Sequence, residues 1–111
     1  MALIDYSMAS NDWDARNFKE GDILDASFHY TAKFPYFFIV TRNTGKTVFA
    51  RKLGRKIVSA DMYGQMGTMI PDETTQSDKI YSGRILKGNH LKLDGNTAHK
   101  WDGQPVSFFG D

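Results

Sequence analysis

The feature that most constrains the fold is a pair of apolar, β-branched and aromatic runs around a turn signal at residues 36–53. Tyr36-Phe-Phe-Ile-Val-Thr41 leads in, Asn43-Thr44-Gly45 follows, and Lys46-Thr-Val-Phe-Ala-Arg-Lys-Leu53 leads out. Aromatic and β-branched side chains fit a pleated surface, and an Asn/Gly-containing turn joins adjacent antiparallel strands. With a three-residue turn, Arg42 is expected opposite Lys46, Val40 opposite Val48 and Phe38 opposite Ala50. Phe38, Val40, Arg42, Lys46, Val48 and Ala50 then share one face with Tyr36. The other face carries Phe37, Ile39, Thr41, Thr47, Phe49 and Arg51. Both faces are substantially apolar, so the hairpin is either sandwiched or offers one face for docking.

The flanking sequence continues the strand theme. Leu24, Ala26, Phe28 and Tyr30 alternate with Asp25, Ser27 and His29, a period of two. Residues 56–62 follow a Gly54-Arg55 turn as a further strand. Residues 66–70 read as a short strand or coil, and 80–86 as a strand. Leu91 and Leu93, a Gly95-Asn96 turn, 97–101, an Asp102-Gly103 turn and 105–109 form a C-terminal meander. The polar, aperiodic segment 71–79 reads as a mobile surface loop. Residues 8–21 read either as a short helix, capped by Ser10 or Asn11 and closed by Gly21, or as a loosely held arm. The expected fold is mainly β: one domain over 1–111, with an N-terminal arm or short helix at 1–20. Residues 21–111 are expected to form a small antiparallel SH3-like or OB-like barrel.

Composition narrows the function. The chain has 111 residues and no cysteine, which excludes disulfides, thiolate metal sites and thiol chemistry. No run approaches the ~18 apolar residues of a membrane span, so no membrane partner is expected, and the short, acidic start argues for a cytoplasmic protein. The net charge of +1 conceals segregation. Residues 1–25 hold six acids against two bases, and 61–111 seven acids against five bases. Residues 26–60 hold seven bases (Lys33, Arg42, Lys46, Arg51, Lys52, Arg55 and Lys56) and no acid. Such asymmetry concerns partners rather than fold.

Thr44-Gly45-Lys46-Thr47 imitates the end of a phosphate-binding loop. The required upstream glycine is Val40, however, and the following residues read as strand rather than helix. His29, His90 and His99 form no metal pattern: the meander places His99 opposite Lys92 and His90 near Trp101. No nucleophile elbow or triad order is present. The chain is therefore expected not to be an enzyme and to use no metal or cofactor. What stands out is the cationic stretch interleaved with aromatic rings. Cations that track phosphates beside rings that stack bases are how single-stranded nucleic acid is held. Residues 26–60 are thus a candidate nucleic-acid contact. The bland reading is that the rings are core and the cations solvate a sheet edge. Phe37 opposite Arg51 would make an exposed cation–π pair. A deep aromatic pocket containing Arg51 would instead indicate a small-molecule sponge.

Phe18-Lys-Glu-Gly-Asp-Ile23, Tyr36-Phe-Phe-Ile-Val-Thr41, Gly45-Lys-Thr-Val-Phe-Ala-Arg51 and Trp101-Asp-Gly-Gln-Pro-Val106 occur in that order. The series resembles a family of small phage- and plasmid-encoded proteins of unassigned biochemical function. That family favours polar residues where Ile39 and Phe49 stand, so the outer hairpin face of this chain is more apolar. An apolar patch ringed by Lys and Arg fits a protein-binding site. The resemblance implies an accessory protein of a mobile element that acts by binding, of the anti-defence or anti-CRISPR type. Its partner would be a host protein or ribonucleoprotein complex, blocked by steric occlusion. Phe37, Ile39, Phe49 and Arg51 are the expected anchors, and Arg42, Lys46, Lys52, Arg55 and Lys56 the steering charges. Single-stranded nucleic-acid binding is the alternative.

Overall fold

The structure is a computed structural model and describes residues 18–26, 28–29, 33–86 and 90–110. Among the described residues nine strands run in chain order: β1 (Ile23–Asp25), β2 (Phe28–His29), β3 (Lys33–Phe34), β4 (Phe37–Asn43), β5 (Thr47–Ala60), β6 (Met66–Leu86), β7 (His90–Leu93), β8 (Asn96–Lys100) and β9 (Val106–Phe109). Every pairing is antiparallel. The sheet order is β2-β3-β9-β6-β5-β4-β1-β8-β7, and a further β6–β7 pairing closes six of the strands into a barrel. Closure satisfies the edge hydrogen bonds that an open sheet leaves free. The expected small antiparallel barrel is therefore present, and no helix occurs among the described residues. The helix or arm expected at the N-terminus lies almost wholly outside them. At 19–22 the chain makes a turn, in which the Asp22 amide donates to the Lys19 carbonyl at 2.9 Å.

The barrel interior follows from alternation. Leu24, Phe38, Val40, Val48, Ala50, Leu91, Leu93 and Ala98 point inward, joined by Phe18 and Ala26, with Tyr36, Tyr81 and Ile85 packed against them. The Asn43 amide donates to the Phe18 carbonyl at 2.6 Å and ties that ring's backbone to β4. Phe38, Val40, Val48 and Ala50, expected to share one face, do share it, and that face is the barrel interior. Their register is not the expected one: Asn43 pairs with Val48, Arg42 with Phe49, and, beyond a bulge at Thr41, Val40 with Ala50. The turn comprises Gly45 and Lys46, with Gly45 at φ +102°, and the Thr44 amide donates to the Thr47 carbonyl at 3.0 Å. A glycine able to take positive φ at the first tip position favours this two-residue loop over the expected three-residue one.

β5 and β6 are the unusual elements. Their ends within the barrel, 47–53 and 80–86, continue beyond it as an arm, 54–60 paired with 67–72. β9 adds to the arm through Met66–Phe109 and Met69–Val106, and β3 and β2 follow outside it. Among the described residues, 54–60 pair with β6 on one side only. The molecule is accordingly elongated, 56 × 31 × 22 Å, with a radius of gyration of 15.5 Å against about 13 Å for a compact 100-residue domain.

Several expectations are corrected here. No turn divides β5 at Gly54-Arg55. Residues 71–79 are no loop but bulged strand: β5 advances one residue from Leu53 to Gly54 while β6 runs from Gln76 to Asp72. Local hydrogen bonds hold the bulge. The Asp72 carboxylate accepts from the Thr74 amide (3.0 Å), the Thr74 hydroxyl (2.6 Å) and the Thr75 hydroxyl (3.3 Å). The strand expected from 23 to 30 breaks after Asp25, and Phe28 pairs with Phe34 instead. The C-terminal turn comprises Asp94 and Gly95, both at positive φ, one residue earlier than expected. That shift puts His90 opposite His99 and Lys92 opposite Thr97.

Candidate functional site

Alternation that sends Phe38, Val40, Val48 and Ala50 inward sends their neighbours out. Across β4, β5 and β6, Ile39, Arg51 and Ile80 form one outward row and Arg42, Phe49 and Ser82 the next. Cross-strand neighbours of this kind face each other at contact distance. They frame a shallow, open groove of about 520 Å³ lined by Thr41, Arg42, Phe49, Ile80 and Ser82. The bulge at Thr41 shifts Arg42 into the Phe49 row, where its guanidinium lies 5.3 Å from the ring centroid. The Thr41 hydroxyl donates to the Phe49 carbonyl at 3.2 Å. Arg51 is held by a 2.9 Å bond from Nη1 to the Ser77 carbonyl. Lys46 projects from the adjoining turn, and exposed Arg84 stands opposite Thr47. The groove thus has an apolar floor, in which Ile80 is 49% exposed, and a cationic rim.

The nine residues singled out from sequence do not all meet there. Arg42 and Phe49 line it, Ile39 and Arg51 stand in the adjoining row with Ile80, and Lys46 is in the adjoining turn. Phe37 is corrected: it is 0% exposed, opposite Leu53, and packs edge-on against Trp101 at 5.9 Å. Trp101, which the meander brings over that end of β4, covers the ring; register changes only the partner, since Ile39 rather than Phe37 faces Arg51. The cation–π pair on this outer face is Arg42–Phe49, not Phe37–Arg51. Lys52 and Arg55 lie at the end of the barrel against Tyr36, and Lys56 lies on the arm, 4.0 Å from Asp72. Sequence reasoning missed Ile80, Ser82 and Arg84. Their signal was the alternation of 80–86 with Tyr81, Gly83 and Ile85, which identifies an outward face but not its neighbour. It also missed the arm's tip, where Met62 and Tyr63 are 89% and 80% exposed.

A second cleft, of about 420 Å³, lies between the barrel and β9 and includes Asp25, Lys33, Thr68, His99, Asp102 and Ser107. His99 Nε2 is 4.0 Å from Asp25 Oδ2. Ser107 Oγ accepts from the Lys33 ammonium at 3.2 Å, the reverse of the polarity that activates a nucleophile by removing its proton. Among the described residues no three His, Asp or Glu side chains cluster to hold a metal. The phosphate-loop look-alike is the hairpin turn between β4 and β5. No described helix is long and apolar enough to cross a membrane. No protein-family model matches the chain, no curated protein matches it, and no solved structure matches it.

Proposed function

We propose that the protein is a non-enzymatic binding protein of a phage or other mobile element. It docks on a host defence complex, a protein or ribonucleoprotein of the CRISPR-effector kind, in the host cytoplasm, and occludes it. The observation that carries the reading is the Phe49–Ile80 groove with Arg42, Arg51, Arg84 and Lys46 around it. An apolar centre inside a charged rim is the anatomy of a protein interface. The complementary surface is an acidic rim around one or two apolar side chains. Attraction between the two rims speeds encounter, so the on-rate falls as salt rises. The choice of a defence complex rests on the sequence resemblance to phage and plasmid proteins.

The test is affinity capture from host lysate with and without nuclease, repeated with Phe49→Ala and Ile80→Ser. Nuclease-resistant capture of one protein complex, lost in both variants while their thermal unfolding is unchanged, is the expected result. Capture by the variants at wild-type level refutes the site. Binding abolished by nuclease, with single-stranded oligonucleotides retained at low salt, moves the function to nucleic acid.

A further inference from the structure

We infer that the end of the barrel around Tyr36 and Tyr81 is a binding site for a small phosphate-type oxyanion carrying two or more negative charges. This site is separate from the Phe49–Ile80 groove, and the inference does not rest on the function proposed above.

The site begins with a parity conflict. Lys52 follows Val48 and Ala50 on the inward face of β5, so its stem starts toward the core while its ammonium must reach solvent. It emerges at the barrel's end with Nζ 4.5 Å from the Tyr36 ring centroid, 5.9 Å from that of Tyr81 and 6.0 Å from that of Phe38. Two further cations converge on the same rings. The Arg55 guanidinium is 5.3 Å from the Tyr36 centroid, and Lys79 Nζ is 4.7 Å from that of Tyr81. Because Lys52 shares one ring with each of them, neither can lie farther from it than its two ring distances combined. The bulges of β6 bring Lys79 there: Ile80 pairs with Arg51, Gln76 with Leu53, and the residues between are extruded toward this end.

Charge and hydrogen bonding are unbalanced. Asp94 Oδ2, 3.6 Å from Lys52, is the one ion-pair partner of the three cations among the described residues. Arg55 spends a single N–H, Nη1, on the Pro35 carbonyl at 3.0 Å, leaving the rest of its fork. Neither the Tyr36 nor the Tyr81 hydroxyl has a hydrogen-bond partner among the described residues. The result is a concentration of donors in which two positive charges have no ion-pair partner among the described residues. Ring faces relieve part of the repulsion, since aromatic quadrupoles attract cations. A phosphate supplies what is missing: two negative charges, and oxygens that accept from a guanidinium fork and from ammonium groups together.

The probe is inorganic pyrophosphate, titrated into the full-length chain labelled with 3-fluorotyrosine and followed by fluorine NMR. The expected result is saturable shifts at Tyr36 and Tyr81 with Tyr63, on the distant arm tip, unmoved. Arg55→Gln combined with Lys79→Gln is expected to weaken binding at least tenfold, while Lys92→Gln combined with Lys100→Gln changes it less than twofold. Citrate at equal charge serves as the second anion, and tighter binding of pyrophosphate is expected. Three outcomes overturn the inference: no saturation at millimolar pyrophosphate, equal loss in both double variants, or shifts that follow ionic strength alone. The wild-type tyrosine shifts decide the matter even if a variant fails to fold. Failure here leaves the capture experiment with Phe49→Ala untouched, and the converse holds.

Discussion

Gly83→Ala tests the closure of the barrel. Gly83 sits on β6 where β5 pairs on one side and β7 closes the ring on the other. A Cβ there would lie 2.1 Å from the Lys92 carbonyl oxygen, 3.0 Å from Leu91 Cδ1 and 3.1 Å from the Lys92 carbonyl carbon. The oxygen must retreat by more than 1 Å to reach roughly van der Waals distance, and it belongs to backbone rather than to the end of a flexible side chain. Overpacking costs about 1–3 kcal/mol, and backbone displacement places this site at the upper end. The unfolded chain loses freedom on gaining a methyl group, which offsets about 0.4–1 kcal/mol. The net expectation is a loss of about 2 kcal/mol, or roughly 8 °C in Tm for a domain of this size. Urea unfolding followed by circular dichroism measures it, with the midpoint expected to fall and the slope to stay constant. Gly54→Ala is the comparison, because its added Cβ meets the Thr75 side chain at 3.0 Å, and that side chain can give way. A Gly83→Ala protein as stable as wild type, or less destabilised than Gly54→Ala, would refute the tight seam.

Three further outcomes are expected. Phe37→Ala should destabilise the fold by about 3–5 kcal/mol in urea titration, since Phe37 is wholly buried against Trp101; a stable variant defective only in capture would restore it as an anchor. Gly67→Ala should loosen the arm, because its Cβ would fall 1.9 Å from the Ser59 carbonyl oxygen; hydrogen exchange should quicken at 66–69 and hold at 47–51, and uniform acceleration would contradict it. The Thr74 hydroxyl and amide, with weaker help from Lys56 and Thr75, hold the Asp72 carboxyl below its ordinary 3.8. A depressed carboxylate contributes stability above its unfolded pKa and loses it as pH falls through the folded one. Wild type should therefore exceed Asp72→Asn in Tm at neutral pH and converge with it below about pH 4; an advantage that grows on acidification would reverse the assignment.

The barrel was legible because alternation is local. Phe38, Val40, Val48 and Ala50 could be assigned to one face without knowing what packs on them, and they form the core. Register was less legible, because it depends on the turn. Gly45 at the first rather than the last tip position moved the pairing, and Thr41 absorbed the odd residue in a bulge. That shift put Ile39 in place of Phe37 opposite Arg51, while Trp101, some 60 positions away, took Phe37 out of the candidate site. Residues 71–79 were misread for a different reason. Asp72, Thr74 and Thr75 have the composition of a loop, yet they bond to one another and let the strand continue past them. Ile80 and Ser82 were invisible as site residues because their neighbours on β5 are some 30 positions away, and no local pattern encodes that distance.

The continuity of β5 and β6 has a mechanical consequence. An appendage on a flexible tether loses freedom when it is gripped, and that ordering subtracts from affinity. Here Met62 and Tyr63 are carried at the end of the same two strands that form part of the barrel wall. Whatever presses on that tip pushes directly on the strands lining the groove, as a lever rather than a leash.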